Sequence, residues 1–64
     1  MPKKIRELIR ELEMAEFVDR GGKGSHRNFV HEKGILLTIS GHPGDDAQPY
    51  QIKLVREKIE ESRQ

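Results

Sequence analysis

Cysteine is absent from this sequence of 64 residues, so disulfides and thiolate metal sites are excluded. Small secreted domains usually lean on disulfides, and their absence points to the cytoplasm. Long apolar runs are missing too. The longest is Ile35-Leu36-Leu37, far too short for a signal peptide or a membrane span. Apolar residues are scarce at 33%, against 36% charged. They nevertheless recur at regular spacings, which argues for a folded, soluble domain rather than disorder. The length suits one domain over residues 1–64, of a size that buries only about 60% of the surface its unfolded chain exposes. Such a domain has little stability to spare, and a binding partner adds to it by mass action.

An excess of one charge sign is also lacking. The formal net charge is +1, which by itself points to no partner. The distribution says more. Residues 1–30 carry seven basic side chains against five acidic ones, whereas residues 31–64 carry five against six. Between Arg20 and His31 there is no acid, while Lys23, His26 and Arg27 all lie there. A local basic patch of this kind is the footprint expected for a polyanion.

What is present reads as helix, three strands, helix. Ile5, Leu8, Ile9 and Leu12 fall at i, i+3, i+4 and i+7, predicting an amphipathic helix over residues 2–15,. Pro2 suits its first turn, where the missing N–H costs nothing. Phe17 and Val18 open a short extended segment, followed by a turn at Gly21-Gly22-Lys23-Gly24. Residues 28–31 read as a second strand, 32–34 as a connection and 35–40 as a third strand, an antiparallel meander. Residues 41–46, with a proline and two glycines, form a loop,. Pro49 then starts a helix over 49–62, with Ile52, Val55 and Ile59 as its apolar stripe, Leu54 beside it, and a polar chain end expected to fray. Two helical stripes on one sheet face make a two-layer α+β domain, an order that resembles the double-stranded-RNA-binding domain.

The chemistry-bearing stretch is Gly21-Gly22-Lys23-Gly24-Ser25-His26-Arg27. Cutting RNA without a metal needs a group to deprotonate the ribose 2′-OH and cations to hold the phosphate. Histidine suits proton transfer near neutral pH. Lys and Arg stabilise charge developing on the phosphorus oxygens, and glycines let the backbone approach a phosphodiester and offer N–H groups to it. The same residues would equally make a solvated polar surface turn.

The segment Lys23-Gly24-Ser25-His26-Arg27 resembles the Lys-Gly-Ser-His signature of the HicA (YcfA-like) messenger-RNA interferases, toxins of toxin–antitoxin pairs. The similarity extends to the Leu8-Ile9-Arg10 helix, to Glu16-Phe17-Val18 where the family usually has Gly-Phe, to a hydrophobic third strand, to His42-Pro43, and to Leu54-Val55-Arg56-Glu57-Lys58-Ile59. The resemblance implies a double-stranded-RNA-binding-like fold, RNA cleavage without a cofactor by one essential histidine, and neutralisation by a HicB-type antitoxin. Carried over, His26 is the catalytic residue and Gly24 shapes the active turn. Lys23, Gly24, Ser25 and Arg27 form the candidate RNA- or phosphate-binding set, Lys23 and Arg27 on grounds of charge and proximity alone. The expected partners are RNA and the antitoxin, with no membrane, metal or small-molecule cofactor.

Several positions depart from the family pattern. Glu16 replaces the usual glycine, Gly21 and Gly22 stand where an arginine and a polar residue are frequent, and Tyr50 falls where a glycine commonly opens the last helix. The missing arginine would weaken RNA contact. The other histidines fit other roles: His31 reads as structural or surface-exposed, on the strand face of Phe29 and Arg27, opposite His26. His42 reads as a loop histidine, with protonation of the leaving 5′-oxygen as the alternative. The three histidines, five and eleven residues apart, match no standard zinc pattern,. Lys3, Arg6 and Arg10 form a basic stripe on the first helix. In the double-stranded-RNA-binding fold that helix lies along the minor groove, but here Glu7, Glu11 and Glu13 interleave as in an ordinary solvated face. Two functions remain in view: an endoribonuclease toxin, and a non-catalytic RNA-binding module of the same fold.

Overall fold

The chain is described here by a computed structural model covering residues 3–64. Its elements are α1 (Ile5–Met14), β1 (Val18–Gly21), β2 (Arg27–Val30), β3 (Leu36–Ile39) and α2 (Pro49–Ser62). The strands pair antiparallel in the order β1-β2-β3. This α-β-β-β-α, two-layer α+β arrangement is that of the double-stranded-RNA-binding domain, as the sequence led us to expect.

Helix α1 starts later than its periodicity suggested. Lys4 is extended (φ −93°, ψ 156°) and caps the helix, because Lys3 and Lys4 pair with the 45–47 segment. The Ala47 N–H donates to the Lys3 carbonyl at 2.7 Å, and Lys4 and Asp46 form an antiparallel bridge. The loop then satisfies the first orphan amides of the helix: Ile5 N–H donates to the Asp45 carbonyl (2.9 Å) and Arg6 N–H to that of Pro43 (3.0 Å). Glu7 reaches back to accept from the Lys4 amide at 2.7 Å, the side-chain half of a capping box. Pro2, expected in the first helical turn, lies outside the described residues.

The other end of α1 closes in a Schellman motif. The Phe17 N–H donates to the Leu12 carbonyl (2.9 Å) and the Glu16 N–H to that of Glu13 (3.0 Å), leaving Glu16 in the left-handed region at φ +72°. That is the position a glycine usually fills, and it explains physically why a glycine is usual there.

Strand alternation puts Phe29, Leu37 and Ile39 on the helix-facing side, where they meet Ile5, Leu8, Leu12, Phe17 and Val55 in the buried core. In register, Arg27 faces Ile39, Asn28 faces Thr38 and Phe29 faces Leu37. Between β1 and β2 the register slips at Arg20, so that Asp19 faces Phe29 but Gly21 faces Asn28, a bulge at the root of the glycine loop.

Helix α2 packs through the expected stripe with one polar addition. Val55 is buried, but its buried companion is Gln51, while Ile52, Leu54 and Ile59 pack only partly. Gln51 tolerates burial because its amide is satisfied at both ends. Its Nε2 donates to the Ser40 carbonyl (2.9 Å), and its Oε1 accepts from the Gln48 amide (2.8 Å). The chain end does not simply fray: Lys33 Nζ donates to the carbonyls of Ser62 (2.8 Å) and Gln64 (2.6 Å), a cation at a helix C-terminus. No helix among the described residues is long and apolar enough to cross a membrane.

Candidate functional site

The loop between β1 and β2 carries the residues singled out above. Within it, the His26 N–H donates to the Lys23 carbonyl at 3.0 Å, closing a four-residue turn. Gly24 has φ +59° and Ser25 does not share a positive φ, the signature of a type II′ turn, which takes glycine at its first central position. Nothing lies within 4 Å of a Cβ built on Gly24, so its requirement is one of backbone angle, not space. Gly22 has the opposite requirement. A Cβ there would stand 2.5 Å from the His26 carbonyl oxygen, so the backbone at Gly22 lies directly against that of His26.

The loop is tied at its root by two side chains that periodicity did not single out. Asp19 accepts from the Gly21 N–H through Oδ1 (2.7 Å), an Asx-type turn, and holds the Arg27 guanidinium through Oδ2 (3.3 Å). Asn28 donates from Nδ2 to the Gly21 carbonyl (3.0 Å) and accepts from the Thr38 hydroxyl (2.8 Å). The Asp19-x-Gly21 spacing was the available sequence signal. For Asn28 there was none, because its partners come from a bulged register and a neighbouring strand.

His26, Lys23 and Gly24 are exposed, and Ser25 and Arg27 are half-buried. The turn joins Lys23 to His26 at its two ends. Arg27 does not fall beside His26: it is the first residue of β2, on the side of Phe29, and it engages Asp19. The patch that is free of acid in sequence thus gains one in space. His26, by alternation carried back one residue, belongs to the open face with Asn28 and Val30.

His31 is 4% exposed, with its ring tilted against Phe17 at a centroid distance of 4.9 Å, and its Nδ1 accepts from the Lys33 amide at 3.1 Å. It is a core residue that shapes the β2–β3 turn. His42 is exposed on the loop docked to α1. Since Arg27 faces Ile39, that loop leaves the sheet at the same end as the one carrying His26. Among the described residues, no three His, Asp or Glu side chains gather as metal ligands would. The basic stripe on α1 is shorter than expected. Lys3 precedes the helix and pairs with Glu11 at 2.7 Å, leaving Arg6 and Arg10 exposed on α1 itself.

Residues 5–60 match the family described as HicA toxin of bacterial toxin-antitoxin. The chain belongs to the HicA toxin family. The match runs from the first residue of α1 almost to the end of α2 and includes the whole glycine loop. HicA membership makes this chain a toxin of a toxin–antitoxin pair, with an antitoxin as its counterpart. No curated protein matches the sequence at a significant level.

Proposed function

We propose that this HicA-family toxin is a metal-independent endoribonuclease acting on messenger RNA in the cytoplasm, with His26 as its catalytic residue. The observation that supports this reading most is the presentation of His26. It is solvent-exposed, yet its backbone is held by the turn to Lys23 and by close packing against Gly22, so a substrate can approach a side chain whose origin is fixed.

In the proposed reaction His26 accepts the proton of a ribose 2′-OH. The 2′-oxygen bonds to phosphorus, the P–O5′ bond breaks, and the leaving oxygen takes a proton from water. The products are a 2′,3′-cyclic phosphate and a 5′-hydroxyl. Lys23, with the backbone of Gly24 and Ser25, holds the phosphate and offsets its developing charge; Arg27 joins them once it parts from Asp19. The HicB-type antitoxin would cover this region with acidic or apolar surface, because matched charge speeds encounter and fixes orientation. Val18 and Leu36, 53% and 63% exposed, flank Val30 across the sheet and offer apolar area on the open face, at the end of the sheet away from the loop.

The test is incubation of a generic messenger RNA with the purified protein in EDTA, wild type beside His26→Ala. Cleavage by the wild type alone supports the reading. Binding without cleavage by either protein would make the chain an RNA-binding module, and undiminished cleavage by His26→Ala would remove His26 from the chemistry.

A further inference from the structure

We infer that Asn28 is a positioning residue for His26, acting through the backbone of the glycine loop; this rests on the ribonuclease reading above. Asn28 sits at the bulge, opposite Gly21 on one side and Thr38 on the other. Both ends of its amide are used: Nδ2–H to the Gly21 carbonyl at 3.0 Å, Oδ1 from the Thr38 hydroxyl at 2.8 Å. One side chain therefore links β3, β2 and the last residue of β1 across the mouth of the loop. Asp19 holds the preceding peptide unit, accepting from the Gly21 N–H at 2.7 Å. Gly21 is gripped through both its donor and its acceptor.

The next residue, Gly22, is the one whose backbone lies against the His26 carbonyl, and its missing Cβ would also stand 3.4 Å from Asn28 Nδ2. Asn28, Gly22 and His26 are thus successive neighbours in space. A shift of Gly21 moves Gly22, and Gly22 cannot move toward His26 without pushing its carbonyl.

Asn28 is exposed, so water would satisfy its amide and both partners equally well. What the two bonds add is geometry. A general base must sit within hydrogen-bond reach of the proton it takes, and a misplacement of about 1 Å is enough to cost on the order of 100-fold in rate. A four-residue turn built around a glycine has few internal restraints, and the clasp at its root supplies them. Asn28 makes no proton transfer and touches no reacting atom in this role.

The experiment compares wild type, Asn28→Ala and Thr38→Val, both neutral changes that leave the charge of the RNA-facing surface alone. Three quantities are read: kcat and KM on an RNA oligonucleotide, amide hydrogen exchange at His26, and the thermal melt. For Asn28→Ala we expect kcat to fall about tenfold with KM within about twofold of wild type, and the His26 amide to exchange about fivefold faster as its turn loosens. Thr38→Val should shift the same quantities in the same direction by less. A raised KM with unchanged exchange at His26 would overturn the inference, since Asn28 would then be an RNA contact. Unchanged kcat and exchange would overturn it outright. If Asn28→Ala does not fold, Thr38→Val decides by the same criteria. Failure of the ribonuclease reading shows separately, as RNA left intact by the wild type, and exchange at His26 then still supports or refutes the clasp.

Discussion

Gly22 and His26 touch backbone to backbone: a single added carbon at Gly22 would stand 2.5 Å from the His26 carbonyl oxygen. The neighbour is main chain, which has no rotamer to yield, so the strand entrance itself must move. We expect Gly22→Ala to destabilise the fold by about 1–3 kcal/mol, the usual cost of overpacking, and to lower ribonuclease activity per folded molecule at least tenfold. Chemical denaturation alongside single-turnover cleavage checks both. Full activity in a folded Gly22→Ala protein would mean that the position of His26 is not critical.

Glu16 closes α1 in the left-handed region at φ +72°. For an L-residue that conformation costs roughly 1–2 kcal/mol, partly offset because glycine has more chain entropy to lose on folding. Glu16→Gly should therefore stabilise the protein by about 0.5–1 kcal/mol. The midpoint of a denaturant titration measures it, and a lower midpoint would show that Glu16 makes a compensating contact.

His31 fills core volume against Phe17 and accepts from the Lys33 amide. Removing it leaves a cavity and an unpaired donor, so His31→Ala should cost about 2–3 kcal/mol while the folded fraction keeps its activity. A protein that stays fully stable but loses cleavage would assign His31 to the chemistry instead.

Asp19 holds Arg27 in a pair whose side chains are 28% and 38% exposed respectively, so the pair contributes at most about 1 kcal/mol. Asp19→Asn keeps an acceptor for the Gly21 amide and releases the guanidinium. RNA affinity should rise, and the slope of log K against log salt should steepen by about one phosphate contact. A slope identical to wild type would take Arg27 out of the phosphate site.

The two helices, the order of the three strands and the glycine turn were legible in the sequence because each rests on a local rule. Apolar spacing marks the stripe of Ile5, Leu8 and Leu12, and Pro49 opens α2 because it lacks only an N–H that no helix start would use,. The errors arose where a distant segment competed with the local rule. Lys3 and Lys4 have helix-forming side chains, yet pairing with Asp46 and Ala47 keeps them extended. Gln51 looks like a surface residue until the Ser40 carbonyl arrives to bond it. Alternation already set Arg27 on the strand face opposite His26, but it read as a free cation, and only the neighbouring strand brings Asp19 to engage it.

The sequence by itself determined the element order, the apolar faces, the glycine turn before His26 and the likeness to the HicA family, since all of these depend on residues close together in the chain. Only the tertiary structure decided which polar groups meet. The bulge that brings Gly21 opposite Asn28, the Thr38 hydroxyl across from it, and the loop of Pro43 and Asp45 over the first amides of α1 join segments far apart in sequence. Hydrogen bonds are directional and short-ranged, so their pairing follows from where the packed core leaves each backbone, which no local pattern encodes.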